Sequence, residues 1–570
     1  MTDSDTDSLP PHLLANLAAM RSLDPTLVER ITWPCASEHV AWTEGEGAEI
    51  LVHRTWHRLS LTRDEVVAAL GDVRDAPVLL FGLGLGELLG PLLAAGCTVD
   101  AWERDPWLLR TVLSRQDWSL HIASGRLRFR LTSDLVGLLA TSDATAPDGR
   151  ALQPVFHPIL EQLYTLERRL LEDGVGPRRA LLALGGLFVE DVADALRAEG
   201  FSVFPWELVG WSREELHHVA DALQPELAVA INHTHGLPGS CAELGVPLHV
   251  WEIDPATDQI APVPGGSGGP AASNTNVWTW RRSQVAAFSD AGFDHVAHLP
   301  LAANPEHRRP LTLTPAEEDQ YGADVIFVGS SMVETAMAYR RRLVGAYVLW
   351  KGGDPSAAVE EAEAAIHRVL DAQRDSIDAY LVPELLAKEL PWFVQAATEN
   401  DAVFGALEGA RPASLLGELA AADKRITCVA NLGQVGIHVW GDEGWQHAAE
   451  YGAVYRGPAG HREELTRIYS TPAIHVDIGR FYQEDIVTMR VFDVLACGGF
   501  CLAQWSEDLE ALFEVGVELD TWRTLEELLE KTGHWLEQGP EARAAVGARG
   551  RARILRDHSI QQRVQRMLGR

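Results

Sequence analysis

The chain has 570 residues, of which 46% are hydrophobic and 23% are charged. This composition excludes global disorder, collagen, a coiled coil and a disulfide scaffold, and the length predicts several domains because one core stops growing near about 250–300 residues. The 81 acidic residues outnumber the 48 basic ones, and the resulting net charge of −33 disfavours binding to nucleic acid or anionic lipid.

The cysteines and the apolar runs indicate the compartment. The 6 cysteines are scattered, and none stands in Cys-x-x-Cys spacing, so buried reduced thiols are expected rather than a zinc site. The start, MTDSDTDSLPP, has no apolar core and is not expected to be a signal peptide. The longest apolar candidate, Ala76 to Val99, is broken by five glycines and falls short of a membrane span. We therefore expect a cytoplasmic protein without a transmembrane segment.

Three segments repeat an apolar strand, a glycine-rich turn and an amphipathic helix, and they begin at Pro77, Arg179 and Ala323. Each pattern is typical of the opening βα unit of a doubly wound parallel sheet. The sequence therefore predicts an α/β fold with three Rossmann-like domains in series. The predicted divisions are 1–175, 176–315 and 316–548, followed by a basic helix at 549–570. That helix is interpreted as solvated, with a partner-binding tail as the alternative.

The first glycine-rich turn contains Gly82, Gly84 and Gly86, and Glu103 ends the next predicted strand. Glycines let a ligand approach a helix N-terminus, and a carboxylate at this distance along the chain can bind ribose hydroxyls. The pattern resembles S-adenosylmethionine-dependent methyltransferases, and more closely the Rossmann-like domain of motility-accessory-factor proteins, which are linked to flagellin glycosylation. A ligand site, a purely structural turn and an active methyltransferase all remain open.

The most specific motif is ThrMetArgValPheAspValLeuAlaCysGlyGlyPheCysLeuAla at 488–503. Further stretches lie at 226–236, 247–255, 294–305, 324–330, 436–445 and 451–457. Together they resemble the spore-maturation CgeB-like glycosyltransferases, from about Arg179 to the C-terminus. The resemblance implies a GT-B fold, a pair of Rossmann-like domains facing each other across a cleft, and sugar transfer from a nucleotide diphosphate donor.

The donor chemistry also follows from residue types. A diphosphate can be neutralised without a metal by helix N-termini and arginine. Thr488 and Arg490 lie where a loop becomes a helix, so they are predicted to bind the diphosphate. Gly329 and Ser330, in the first turn of the same domain, allow close approach of the donor. Tyr455, near the end of a short strand, is a candidate wall for the base or a simple core residue.

Two acids accompany this motif, Asp485 and Asp493. Their spacing resembles the Glu-x7-Glu pair of retaining GT-B enzymes, in which the first acid lies by the donor sugar and the second holds the ribose. The resemblance implies a catalytic Asp485 and places Phe492 and Asp493 in the nucleotide-sugar site, although Asp493 is one methylene shorter than the usual Glu. Alternatively, Arg490 forms a surface ion pair with Glu484 or Asp485, and Asp493 is a helix-face carboxylate.

His233 and His235 follow an apolar strand, where side chains face the cleft of a parallel sheet. His233 is predicted to act as acid or base on the acceptor side, with a structural histidine and a metal ligand as alternatives. Asp254, after another strand end, is a weaker candidate.

These patterns favour a metal-independent, retaining glycosyltransferase that needs no cofactor. The donor is a nucleotide diphosphate sugar, and the acceptor is flagellin, another protein, a surface glycan or a metabolite. A non-catalytic nucleotide-sugar-binding module and a bifunctional protein with a methyltransferase domain are the rivals.

Overall fold

The structure, a computed structural model, describes residues 9–43, 47–52, 55–139, 150–232, 236–253 and 260–570. The chain divides into two structural units. The first comprises Met1–Thr279, Gln284–Ala297 and Met567–Arg570, and the second comprises Trp280–Ser283 and His298–Arg566.

The first unit opens with two helices and a small antiparallel sheet in the order β1-β2-β3. These elements are α1 (Pro11–Arg21), α2 (Pro25–Thr32), β1 (Val40–Thr43), β2 (Gly47–Val52) and β3 (Thr55–Arg58). Both helices begin with a proline, whose fixed φ suits the first helical position.

A four-stranded parallel sheet follows, in the order β6-β5-β4-β7. Its strands are β4 (Pro77–Phe81), β5 (Thr98–Glu103), β6 (Leu127–Leu131) and β7 (Gln153–Phe156). Its helices are α3 (Arg63–Leu70), α4 (Leu89–Ala94), α5 (Pro106–Arg115), α6 (Ser119–Ala123), α7 (Asp134–Leu139), α8 (Leu160–Leu163) and α9 (Thr165–Asp173). Every residue of β4 is buried, as expected for a central strand covered on both faces.

The second sheet of this unit has six strands in the order β13-β12-β11-β10-β8-β9. They are β8 (Arg179–Ala183), β9 (Ser202–Trp206), β10 (Leu227–Ile231), β11 (Leu248–Glu252), β12 (Thr275–Thr279) and β13 (His295–His298). The helices are α10 (Val189–Ala198), α11 (Arg213–Leu223), α12 (Leu237–Leu244), α13 (Pro270–Ser273) and α14 (Gln284–Asp290).

The second unit contains a six-stranded parallel sheet in the order β16-β15-β14-β17-β18-β19. Its strands are β14 (Val325–Val328), β15 (His438–Trp440), β16 (Val454–Tyr455), β17 (Ile474–Val476), β18 (Phe500–Gln504) and β19 (Asp520–Trp522).

Helices separate these strands, and six of them form a layer with an apolar core of its own between β14 and β15. This layer consists of α16 (Val333–Lys351), α17 (Pro355–Arg374), α18 (Val382–Glu389), α19 (Pro391–Glu399), α20 (Asp401–Ala406) and α21 (Pro412–Leu432). The others are α15 (Pro315–Tyr321), α22 (Gln446–Ala449), α23 (Glu463–Tyr469), α24 (Met489–Ala496), α25 (Glu507–Leu512), α26 (Leu525–Asp557) and α27 (Ile560–Met567).

The predicted α/β class with three Rossmann-like sheets is confirmed, because β4, β8 and β14 each open a parallel sheet and precede a helix. The finer domain boundaries stay a prediction. In the predicted basic C-terminal helix, Arg563 is buried and donates to the backbone carbonyls of Pro300 and Leu301. The helix is therefore packed, not solvated, at this arginine.

None of the helices in the described part of the chain combines the length and the apolarity that crossing a bilayer would require.

Candidate active site

The sheet of the second unit changes winding direction between β14 and β17. From β14 the chain proceeds through β15 and β16 on one side, and it continues through β17, β18 and β19 on the other. In open α/β sheets, ligands bind outside the carboxyl ends of strands at such a switch point. The loops that follow β14 and β17 are therefore the expected position of a ligand-binding site.

The loop after β14 is held by Asp442. The Ser331 amide donates to Asp442 at 2.8 Å, and the hydroxyls of Ser330 and Ser331 contact the same carboxylate. Burial alone would raise the pKa of Asp442, but these hydrogen bonds lower it. Ser330 thus has a structural role in the loop, and its predicted donor contact stays a prediction.

Gly329 is required by the close approach of Arg490. A Cβ atom on Gly329 would lie 2.6 Å from Nη2 of Arg490 and 3.1 Å from Cζ of Phe327. The guanidinium of Arg490 lies over the Phe327 ring, 4.6 Å from its centroid. The two predicted residues Gly329 and Arg490 are therefore in direct contact at the switch point.

Arg490 and Thr488 converge on one buried acid that the sequence analysis missed, Asp477. Thr488 Oγ1 donates to Asp477 Oδ1 at 2.8 Å, and Arg490 Nη1 forms an ion pair with the same oxygen. Arg490 Nε also donates to the carbonyl of Val328 at 2.6 Å. Neither acid considered from the sequence, Glu484 or Asp485, is this partner. An acid directly after an apolar strand was the available signal, since Asp477 follows β17.

A pocket of about 360 Å³ opens beside these residues, at the ends of β17 and β18. Its polar lining includes Lys424, Asp477, Arg480, Asp485, Thr488 and Gln504. All of these residues belong to the second unit.

Helix α21 brings one buried cation, Lys424, to this pocket and a second, Arg425, to the loop after β14. Lys424 donates to Gln504 Oε1 at 2.8 Å and lies 4.4 Å from the centroid of the Phe481 ring, and burial lowers its pKa to about 8. Arg425 donates to the carbonyl of Ser330 at 2.8 Å, and burial, together with nearby arginines, lowers its pKa to about 9. Its buried Nε has no hydrogen-bond partner among the described residues.

These cations escaped sequence reasoning because α21 carries no strand-end or glycine signal. The one available hint was the adjacent pair Lys424-Arg425 within an alanine- and leucine-rich helix. The lining of the pocket also contains six carboxylates, those of Asp378, Asp477, Glu484, Asp485, Glu507 and Asp508. An anion would lower the electrostatic cost of burying Lys424 and Arg425, so a phosphate-bearing ligand is accommodated on their side of the pocket.

Asp485 lines the pocket and is half-buried. It accepts hydrogen bonds from Arg281 Nε at 2.9 Å and from the Ser283 amide at 3.0 Å. Burial would raise its pKa, but the bonds from Ser283 and Arg281 lower it. Asp485 is therefore ionised at neutral pH and positioned beside the pocket.

Three other predicted donor residues do not line this pocket. Asp493 is an ion-pair partner of Arg308, with 3.0 Å between Oδ2 and Nε. Phe492 is fully buried against Phe513, with ring centroids 5.7 Å apart, so in this structure it packs α24 and does not face a ligand. Tyr455 donates its hydroxyl to a backbone carbonyl at 3.2 Å. The donor roles of all three residues stay predictions.

His233 and His235 lie outside the described residues, and so does Asp254. The predicted acid or base role of His233 therefore stays a prediction.

The predicted N-terminal ligand loop is closely packed by its own domain. A Cβ on Gly84 would lie 2.2 Å from Nε2 of His157, and one on Gly82 would lie 2.9 Å from the side chain of Leu160. Gly86 is half-buried, a Cβ on it would lie 3.1 Å from the side chain of Val112, and it borders a separate pocket of about 490 Å³. Of the interpretations left open, the contacts of Gly82 and Gly84 favour the structural one.

Glu103 is also packed within its own domain. It is fully buried, and it accepts from the Leu83 amide at 2.7 Å, the Asp105 amide at 3.0 Å and the Tyr164 hydroxyl at 2.6 Å. Burial raises its pKa to about 7. Glu103 thus ties the glycine loop to its sheet, and it presents no exposed oxygen to a ribose in this structure.

Within the described residues, no group of three or more His, Cys, Asp or Glu side chains is arranged to hold a metal ion.

Residues 420–569 match a family model described as Glycosyl transferase-like. No curated protein matches the chain. Among solved structures, the chain is similar to a glycosyltransferase from Rickettsia africae ESF-5, with 11% identity, 69% of this chain and 97% of that chain covered, and a TM-score of 0.38. It is similar to Anabaena Alr3699/HepE in complex with UDP and glucose, with 12% identity, 69% and 98% covered, and a TM-score of 0.38.

A third similar structure is the MAf glycosyltransferase from Magnetospirillum magneticum AMB-1, with 12% identity, 92% of this chain and 99% of that chain covered, and a TM-score of 0.20. The segment matched by the family model contains most of the pocket lining, including Lys424, Asp477, Asp485 and Thr488, but not Ile377, Asp378 and Ala379. The predicted glycosyltransferase class is confirmed, whereas the CgeB-like subtype stays a prediction. Residues 420–569 are therefore glycosyltransferase-like, and the chain has an α/β fold that contains parallel sheets.

Proposed function

We propose that the chain transfers a sugar from a nucleotide diphosphate donor, bound at the β14–β17 switch point, to an acceptor. One observation carries the proposal: Lys424 lines the pocket, while Arg425 and Arg490 donate to the backbone carbonyls of Ser330 and Val328 beside it. Arg490 is paired with Asp477, but Lys424 and Arg425 form no ion pair within the described residues. A diphosphate would supply a negative partner, and charge-assisted hydrogen bonds to it are worth ~1.5–3 kcal/mol each.

The start of α24 supports the same assignment. Thr488 is the N-cap residue, but its side chain makes no capping hydrogen bond and instead donates to Asp477. The first amides of α24 are therefore free of a side-chain cap and can donate to a phosphate, as helix N-termini do. Arg490 lies in this first turn, so amides and guanidinium act on the same anion.

We infer retention of configuration and metal independence. The resemblance of Asp485 and Asp493 to paired acids supports retention, and the ionised state of Asp485 suits stabilisation of positive charge on the donor sugar. Helix amides with arginine offer a route to diphosphate neutralisation that needs no metal. In this proposal His233 serves the acceptor hydroxyl, Tyr455 borders the base and Asp493 holds the ribose.

The acceptor is flagellin, another protein or a surface glycan, and the CgeB-like subtype belongs to the same proposal. We also propose that the protein works in the cytoplasm, since its six cysteines are all free and five of them are buried. A methyltransferase function of the N-terminal domain is disfavoured by the internal packing of Gly84 and Glu103.

Donor binding is tested by thermal shift with a panel of nucleoside diphosphates. At least one should raise the Tm, and Arg490→Ala should abolish the rise while its own unliganded melt stays cooperative. Gly329→Ala should displace the Arg490 guanidinium and weaken binding about tenfold, the value of roughly one charge-assisted hydrogen bond. Gly345→Ala is the control, because a Cβ there meets nothing within 4 Å. No response to any nucleoside diphosphate would contradict the site.

Catalysis is tested by donor hydrolysis and by the anomeric configuration of the product, followed by NMR. Slow hydrolysis of the donor would show an enzyme, and its absence would favour a non-catalytic binding module. Activity should survive EDTA, and complete loss that manganese or magnesium restores would overturn metal independence. An inverted product would overturn the role given to Asp485.

A further inference from the structure

A second cavity lies within the first unit, apart from the donor pocket. Its volume is about 220 Å³, and it forms where the carboxyl ends of β5, β8 and β9 approach β2. For comparison, a cavity of about 150 Å³ lined by aliphatic and aromatic side chains binds benzene. The apolar lining includes Ile50, Val52, Leu166, Leu184, Val209 and Trp211.

The polar side of this cavity contains two internally paired cations. Arg104 forms an ion pair with Glu167 at 3.4 Å and lies 4.0 Å above the Tyr164 ring. His39 Nε2 is paired with Asp105, whose hydrogen bond raises the pKa of His39 even though burial lowers it. These two pairs are neutral overall.

Two further carboxylates, Glu190 and Glu207, line the cavity and give it negative charge. Glu207 accepts from the Val209 amide at 3.2 Å and forms no ion pair with another described residue. Glu207 also lies close enough to His39 and Arg104 to raise the pKa of both. The cavity thus offers an apolar body and an anionic wall.

We propose that this cavity binds a small organic cation, namely an amine attached to an apolar group about the size of a phenyl ring. The amine lies against Glu207, and the apolar group contacts Ile50 and Trp211. The site does not depend on the glycosyl transfer proposed above. The amine belongs either to a free small molecule or to the basic side chain of a polypeptide.

The test uses the full chain and ligand-observed NMR with three matched probes. Phenethylamine should bind at least about tenfold more tightly than 3-phenylpropionate, because only the amine gains a charge-assisted hydrogen bond to the carboxylate. Acetyl-Phe-Lys-amide, whose only amine is a side chain, distinguishes the sources: tighter binding than phenethylamine supports a polypeptide ligand, and weaker binding supports a free amine.

Two variants separate the cavity from the rest of the acidic surface. Glu207→Gln should weaken phenethylamine binding about tenfold, and Glu214→Gln, the same change at an exposed site on α11, should not change it. Val52→Trp should block the cavity, with a thermal melt as the check on folding. Equal binding of the amine and the acid, or equal effects of the two glutamine variants, would overturn the proposal.

Discussion

We predict that the affinity for a nucleoside diphosphate falls above pH 8, because Lys424 then loses its proton. Burial lowers the pKa of this amine to about 8, from its ordinary value of 10.5. At pH 7 roughly nine-tenths of the free enzyme has a charged Lys424, and at pH 9 about one-tenth has. If only the charged form binds the anion, the apparent Kd rises ~tenfold between these two pH values.

Isothermal titration calorimetry between pH 7 and pH 9.5 measures this change. Lys424→Met should bind weakly at pH 7 and lose the inflection near pH 8, whereas Lys424→Arg should keep the affinity and also lose the inflection. Lys351→Met, the same substitution at an exposed position on α16, should leave the profile unchanged. Arg425 also has a lowered pKa, and the Lys424→Met profile separates its contribution. A flat wild-type profile would refute the reasoning.

Two predictions concern the first unit. Gly84→Ala should lower the free energy of unfolding by about 2 kcal/mol or more, because the added Cβ lies 2.2 Å from the buried His157 ring. Arg30→Met should lower it by about 3–5 kcal/mol, because Glu215 is then left buried without its bidentate partner. Urea denaturation monitored by circular dichroism measures both.

Matched variants control these two measurements. Gly125→Ala has a comparable positive φ of 73° but no atom within 4 Å of the new Cβ, so it should cost less than Gly84→Ala. Arg213→Met removes a solvent-exposed ion pair and should change the free energy of unfolding by less than about 1 kcal/mol. Equal losses of unfolding free energy in the two glycine variants would contradict the steric argument. Equal losses in the two arginine variants would contradict the electrostatic argument.

Arg30 also bears on whether the N-terminal domain can be removed. Its guanidinium donates to Glu215 in the second sheet region at 2.6 Å and to Asp134 in the first at 2.8 Å. Trp211 donates its indole N–H to the carbonyl of Arg104 at 3.1 Å. The two sheet regions of the first unit therefore share buried polar contacts. A cut near Gly174 would remove Arg30, the partner of Glu215, and expose the surface around Glu215 and Trp211.

The strands that open the three sheets were predictable because their signals are local. The predicted openings at Pro77, Arg179 and Ala323 correspond to strands that begin at Pro77, Arg179 and Val325. Each is a short apolar run followed by a glycine-rich turn. The hydrophobic pattern and the turn residues therefore both predict a strand that ends at the turn.

The donor site was predictable only in part. Gly329, Thr488 and Arg490 adjoin strand or helix ends, where side chains of a parallel sheet converge. Lys424 lies in the interior of α21 and reaches the pocket only through tertiary packing. No local pattern distinguishes such a lysine from one on a solvated helix face, so its burial had to be observed.

The two glycine turns at Gly84 and Gly329 explain why one motif leads to opposite outcomes. At each position a Cβ is excluded by a nitrogen-bearing side chain. At Gly84 that side chain is His157, whose pKa burial lowers to about 4, so a neutral ring fills the β4–β7 switch point. At Gly329 it is Arg490, whose guanidinium is paired with Asp477, a residue that lines an open pocket. A glycine in such a turn therefore indicates only that another side chain approaches the backbone closely. The charge of that side chain decides whether the switch point is filled or attracts an anion.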